Sequence, residues 1–208
     1  MDVHSHCEAL GMSDVDDAHT PLDDEERDGL IPAHLTTRRE LNEWEGLNIA
    51  QAYAWLARRH PTDVLAVDFL RALHQRMFGD TWAWAGKFRT SDKNISPHAW
   101  PVVPMLMHDL VENTRVRQVT SPRTDTARDE LAVRFHHELV RIHPWPNGNG
   151  RHSRLATDLL LVQWGRPVFT WGAGASLETL GEARGTYIRA LRSADAGDYT
   201  LLRTFCRT

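Results

Sequence analysis

Apolar side chains recur at helical spacing along most of the chain and lose that spacing in two stretches, and the alternation predicts the elements. Order is expected to begin near Leu30-Ile31-Pro32. Thr37-Arg38-Arg39-Glu40 reads as a capping box, in which a Thr oxygen takes an orphan amide and Glu reaches back from three residues on. The helix that follows is expected over about 37–59 and carries Leu41, Trp44, Leu47 or Ile49, Ala52 and Trp55. Pro61-Thr62-Asp63 predicts a second helix with Leu65, Phe69, Leu70, Leu73 and Met77 on one face, stopped by Gly79-Asp80. From Trp82 to Pro104 the period disappears under Gly86, Asn94, Ser96, Pro97, Pro101 and Pro104. That punctuation around Lys87-Phe88-Arg89-Thr90 predicts a hairpin or extended flap. Helical pattern returns from Met105-Leu106 to about Val116, and again after Asp125 or Thr126 with Leu131, Phe135, Leu139 and Ile142. A second break covers His143 to Gly150, and Arg151 opens a run through Leu155, Leu159, Leu160, Leu161, Val162 and Trp164 that Gly165 ends. Ser176 is expected to cap a helix reaching about Ser193, with a short last helix near Leu201 to Phe205. The class is all-α, with one small extended element, no repeat and no internal boundary.

Composition narrows this. The chain of 208 residues is 41% hydrophobic and 25% charged, enough apolar surface for one substantial core. A net charge of −4 excludes bulk attraction to nucleic acid or anionic membrane. Cys7 and Cys206 lie near opposite ends and make no disulfide framework, which fits a reducing compartment. No apolar run reaches about 18 residues and no signal-type start is present, so a cytoplasmic chain without a membrane segment is expected. Residues 1–28 are rich in Asp and Glu and poor in large apolar groups, which predicts a flexible acidic arm ahead of a single domain over 29–208. His4, His6 and Cys7 sit in that arm with no second ligand cluster, so no metal site is assigned to them.

The chemistry concentrates in HPWPNGNGRHSR, His143 to Arg154. An apolar helix delivers His143 to its C-terminal end, where the dipole favours imidazolium by about 0.3–1 kcal/mol. Gly148 and Gly150 remove the Cβ atoms that would keep backbone amides from converging on a ligand, and those amides begin a helix: a natural anion nest. Arg151 and Arg154, three apart, share one face of the first turn and can both reach a polyphosphate. A histidine, an amide nest and two arginines within twelve residues point to phosphoryl or nucleotidyl transfer. No GxxxxGK[ST] is present, Arg141 stands where HExxH would need its second His, and Gly172-x-Gly174 lacks a third glycine. The eight tryptophans fall at helical spacing and read as core rather than a base-stacking surface.

HPWPNGNGRHSR resembles the signature HPFx[D/E]GNGRxxR of the Fic (filamentation induced by cAMP) domain family. Gly86-Lys87-Phe88-Arg89 through Asn94-Ile95 resembles that family's flap, which aligns a target peptide by strand addition, and Arg184-x-x-Tyr187-Ile188 its pocket-closing helix. TPLDDEERDGLIPAHLTTRRELNEWEGLNI further resembles the subgroup called mobile mystery protein B, so that the likeness runs from about Thr20 to the C-terminus. The resemblance implies a Fic-type helical bundle with a small β-hairpin flap, and an enzyme that moves AMP from ATP to a Tyr, Thr or Ser hydroxyl of a target protein. His143 would be the general base, the amides of Gly148, Asn149 and Gly150 the phosphate cradle, and Arg151 and Arg154 the partners of the outer phosphates. Lys87, Phe88, Arg89 and Thr90 would dock the target, and Tyr187 would line the nucleotide pocket. Trp145 would anchor the loop. An antitoxin partner is a further implication.

Two departures follow from the same comparison. The family's acidic ligand for Mg²⁺ is Asn147 here, a neutral oxygen, so metal affinity falls or the ion arrives with ATP. That leaves open a degenerate nucleotide-binding module, removal of AMP, or another phosphate donor. Relatives also carry [S/T]xxxE[G/N] on an inhibitory helix, whose Glu pairs with the last motif arginine. Glu45-Gly46 supplies the E-G pair with Leu41 in the Ser/Thr place, while Glu40 after Thr36 is the competing frame.

Overall fold

The computed structural model describes residues 29–58, 63–93, 96–173, 177 and 181–208. Among them run α1 (Arg38–Arg58), α2 (Val67–Phe78), a 3₁₀ turn (Trp100–Val102), α3 (Val103–Thr120), α4 (Asp125–Ile142), α5 (Asn149–Gln163), α6 (Glu182–Asp195) and α7 (Thr200–Arg207). The expected acidic arm over 1–28 and the Ser176 cap lie outside the described residues.

Local chemistry sets the boundaries. The Thr37 hydroxyl accepts the Glu40 amide at 3.3 Å, and Glu40 Oε2 accepts the amides of Thr36 and Thr37 at 2.9 and 3.0 Å, which starts α1 at the capping box. Asp63 does not open α2. Its carboxylate takes the Leu65 amide at 3.0 Å in a turn, and Ala66 stays extended until Val67. Pro101 and Pro104 stand in the 3₁₀ turn and the first turn of α3, where a missing N–H leaves nothing unsatisfied. The helix therefore starts before Met105 and runs past Val116 to Thr120. Thr124 caps α4 by accepting the Ala127 amide at 3.3 Å.

Helices α4 and α5 form the spine. One face of α4, with Phe135, Leu139 and Ile142, packs into a core shared with α1, α2, α3 and Trp82. Ala132 and Val133 turn to a second core with Phe169, Trp171, Tyr187 and the last two helices. Leu155, Ala156 and Leu160 of α5 join the first core and Leu161 the second. Each large apolar side chain among these, fully buried, stabilises the fold by about 1.5–3 kcal/mol. The loop joining the two spine helices is thus anchored on both sides, and it is the loop that carries His143.

The expected hairpin is not shown. Among the described residues no strand forms between Trp82 and Pro104, and an isolated β-bridge joins Leu30 to Trp82. Residues 81–93 run instead as successive turns held by side chains, and residues 94–95 lie outside the described set. No helix of the described residues is long and apolar enough to cross a membrane.

Candidate active site

His143 follows Ile142 as the cap of α4, with φ 52 and ψ 60. A left-handed conformation costs a residue with a Cβ roughly 1–2 kcal/mol, so something must hold it. Arg89 does: its Nε donates to the His143 carbonyl at 2.8 Å, and the Arg89 amide donates to the Pro144 carbonyl at 2.9 Å. The imidazole is half-buried, and its pKa falls from 6.5 to about 4. Burial is the main cause, the cations of Arg89 and Lys93 add to it, and a hydrogen bond to the Val140 backbone opposes it. The dipole of α4, expected to favour imidazolium, is outweighed by these. At neutral pH the ring is uncharged, with one nitrogen donating to the Val140 carbonyl and the other free to accept a proton.

The loop after it is built around Trp145, which is wholly buried. Asn149 clamps that residue's backbone twice, accepting its amide at 2.9 Å and donating to its carbonyl at 2.8 Å. The indole stacks between His74 (4.5 Å) and Phe88 (5.2 Å) and donates to His152 Nδ1 at 3.2 Å. His74 and His152 are both buried and uncharged, His152 near pKa 4 and His74 well below its usual value, because burial penalises the cation. His74 accepts the Gly86 amide on Nδ1 and so donates from Nε2 to the Asn147 carbonyl, at 3.0 and 3.1 Å. His152 accepts from the indole and donates to the Leu70 carbonyl at 2.9 Å. Two neutral imidazoles thereby tie α2, the turn at Gly86 and the loop into one unit. His74 is a site residue that the sequence reading does not single out. Its only signal there is its place on the apolar face of α2, beside Leu70, Leu73 and Met77.

Gly148 opens α5 at φ 78, and a Cβ there would stand 2.6 Å from the Phe78 ring. Only glycine fits. No side chain caps α5, so the first-turn amides of Asn149, Gly150 and Arg151 have no intrahelical acceptor. The Gly148 amide differs: it donates to Asn147 Oδ1 at 2.6 Å. Asn147 is exposed, but its oxygen already has a partner, and among the described residues no group of three His, Cys, Asp or Glu gathers to hold a metal.

The two arginines diverge. Arg151 lies against the Phe78 ring and donates to Glu45 Oε2 at 2.6 Å. Glu45, 1% exposed, accepts Trp82 Nε1 on its other oxygen at 2.7 Å. Arg154 turns the other way and hydrogen-bonds Tyr187, whose hydroxyl also meets His136 Nε2 at 2.9 Å. The carboxylate of α1 therefore pairs with the first motif arginine, not the last, because the register of α1 over α2 and Trp82 sets where Glu45 falls. Glu40 is occupied at the start of α1 and points to no motif residue. Farther along α5, burial raises the Asp158 carboxyl to about 6, although it accepts the Trp171 indole and the Phe169 amide.

The four residues expected to dock a target split into pairs. Lys87 and Thr90 are exposed. Phe88 is half-buried against Trp145, and the Arg89 side chain is fully enclosed.

The helical bundle that carries this loop is similar in fold to solved structures, and its sequence is similar to that of named proteins. The Fic/DOC family model matches residues 64–161, a little under half of the chain. It is 29% identical over 174 residues to a protein from Caenorhabditis elegans named protein adenylyltransferase fic-1, with 81% of this chain and 31% of that protein covered. Drosophila melanogaster protein adenylyltransferase Fic is 29% identical over 170 residues, with 81% and 32% covered. The chain thus spans about a third of the length of these curated relatives. Among solved structures, Bartonella tribocorum BepC with bound AMPPNP aligns at TM-score 0.66 and 16% identity, over 88% of this chain and 96% of that one. C. elegans Fic-1 aligns at TM-score 0.63 and 22% identity, over 86% and 51%. Those alignments establish a Fic-type helical fold.

Proposed function

We propose that the chain is a protein adenylyltransferase held inactive by Glu45. The observation that carries this reading is His143, an uncharged ring one loop away from the uncapped start of α5. A target Tyr, Thr or Ser hydroxyl gives its proton to the open His143 nitrogen as its oxygen attacks the α-phosphorus of ATP. The bond to the β-phosphate breaks, AMP stays on the target, and pyrophosphate leaves. A positioned base contributes about 10²–10⁴-fold. The amides of Asn149, Gly150 and Arg151 face the phosphate oxygens, and losing one such donor in other enzymes costs roughly 3–4 kcal/mol. Arg151 and Arg154 hold the outer phosphates, and Tyr187 shapes the nucleotide end through Arg154. Lys87 and Thr90 remain to meet the target backbone.

The residues present do not make a protein-held magnesium site. Asn147 lends one neutral oxygen that the Gly148 amide already uses. Any Mg²⁺ enters on the phosphates of ATP, where it neutralises charge. The Glu45 carboxylate occupies the Arg151 guanidinium that a phosphate would need, which supports autoinhibition. A second reading, a nucleotide-binding module that transfers nothing, is favoured by the same Asn147 contact.

The test is Glu45→Gly, alone and with His143→Ala, incubated with α-labelled ATP and a lysate. Labelling by the single variant that vanishes in the double is expected. Equal labelling by both would overturn the base assignment, and ATP binding by calorimetry with no labelling would favour the second reading.

A further inference from the structure

Arg89 is a fully enclosed charged side chain, and the transfer chemistry as written gives it no task. Its side chain has no exposed surface. The nearest carboxylate, Asp92, lies 3.6 Å away and is itself 70% exposed. Burying a guanidinium is costly unless every donor is met. Here Nε donates to the His143 carbonyl at 2.8 Å, Nη1 to the Ser91 carbonyl at 2.9 Å, and Nη2 to the His98 carbonyl at 2.7 Å and the Ser96 hydroxyl at 3.2 Å, with the Ile142 carbonyl at 3.5 Å. Ser96 Oγ in turn lies 3.0 Å from the Arg141 carbonyl and 3.2 Å from that of Ile142.

A helix leaves its last four carbonyls without partners, and the usual remedy is a glycine in the left-handed conformation just beyond. In α4 that position is filled by His143 itself. The proposed base therefore stands on a residue whose backbone is strained, and the closing carbonyls at 141, 142 and 143 all turn to Arg89 or Ser96. We infer that Arg89 is a positioning residue, whose guanidinium grips the His143 carbonyl and so fixes the left-handed turn from which the imidazole is presented. Lysine could not replace it, because one ammonium cannot span acceptors on both sides of the fork. The same cation helps keep the ring uncharged.

The inference rests on His143 being the general base, and the experiment separates the two. In a Glu45→Gly background, self-labelling from α-labelled ATP is followed for His143→Ala, Arg89→Ala and Arg89→Lys. His143→Ala labelling at the parent rate would refute the base and leave Arg89 to the structural arm below. With the base upheld, Arg89→Ala is expected to lower the rate at saturating ATP on the order of 10²-fold, as for misplacement of a reacting group by about 1 Å. Its apparent KM for ATP stays within about threefold, because Asn149 rather than Arg89 clamps the loop that starts α5. Added methylguanidinium restores at least part of the rate. Arg89→Lys is expected to lose roughly tenfold with the same KM. An unchanged rate, a loss confined to KM, or Arg89→Lys equal to the parent would overturn the inference. So would a chain that unfolds with either substitution, which would make Arg89 a core brace. Independently of activity, a crystal structure of Arg89→Ala with the His143 φ still near 52 would overturn it, and a relaxed turn would uphold it.

Discussion

Asn147 concentrates the chemical question into one side chain. Its oxygen sits 2.6 Å from the Gly148 amide and so works as a turn acceptor. A carboxylate at the same place has a second oxygen to offer and brings a charge. Even in bulk water a unit charge about 4 Å from a cation is worth about 1 kcal/mol per unit of charge, or about fivefold. Because residue 147 is exposed, Asn147→Asp leaves the packing alone. In a Glu45→Gly background it is expected to lower the Mg²⁺ concentration for half-maximal labelling by about fivefold or more. Superimposable magnesium titrations of the two forms would dismiss the ligand argument. The pattern HPWPNGNGRHSR makes this position legible from sequence, because an amide stands there where the signature it resembles has an acid. It cannot tell that the amide oxygen folds back on the Gly148 amide, because the pose of Asn147 is set by the loop's packing, in which His74 of another helix takes the Asn147 carbonyl.

At the scale of elements, α1 shows two glutamates a turn and a half apart in unrelated roles. Glu40 is local: the capping-box spacing alone predicts its contacts, and hydrogen bonds from Thr36 and Thr37 pull its carboxyl down to about 2. Glu45 is long-range, and what it touches depends on how α1 crosses α2 and meets Trp82. The resemblance implies the last motif arginine as the partner of Glu45, where the structure pairs it with Arg151. Glu45→Gln keeps an oxygen for the Trp82 indole and removes the ion pair with Arg151, so self-labelling is expected to rise at least about tenfold and the melting temperature to fall by several degrees, consistent with an ion pair worth roughly 1.4 kcal/mol or more in the resting state. Glu40→Ala is expected to lower the melting temperature by weakening the helix start, and to leave labelling at the resting level. If Glu40→Ala activates and Glu45→Gln does not, the assignment is reversed. Gly46 is exposed in the helix interior, and a Cβ added there would meet nothing within 4 Å, so Gly46→Ala should raise stability by about 0.5–1 kcal/mol in thermal melts. The flap fails as an element for the same reason that Glu45 finds its own arginine. Gly86 and the prolines between Trp82 and Pro104 say where regular structure stops, while Arg89, Ser96 and His74 decide what replaces it, each through partners more than ten residues away in sequence.

Across the whole molecule, the buried histidines couple the site to acid stability. His136, His143 and His152 have folded pKa values of about 3, 4 and 4, and His74 also lies well below 6.5, chiefly because burial disfavours the cation. A histidine with a lowered folded pKa binds fewer protons folded than unfolded, so stability is full above about 6.5 and is lost as pH falls from there toward the folded value. For a ring shifted from 6.5 to about 4, the loss at about pH 5 is on the order of 2 kcal/mol. Asp158 runs the other way, since its raised carboxyl binds a proton in the folded state first, between about 6 and its unfolded value of 3.8, and stability rises there as pH falls. One opposing carboxyl does not offset four histidines against a total stability of about 5–15 kcal/mol. The melting temperature is therefore expected to drop steeply between about pH 6.5 and 4.5, with hydrogen exchange at the amides of Trp145 and Gly86 rising in the same window as the imidazole bracket opens. A melting temperature flat or rising through that interval would show that these rings are protonated in the folded state, and the neutral bracket around the loop, with the neutral His143 proposed as base, would fall together.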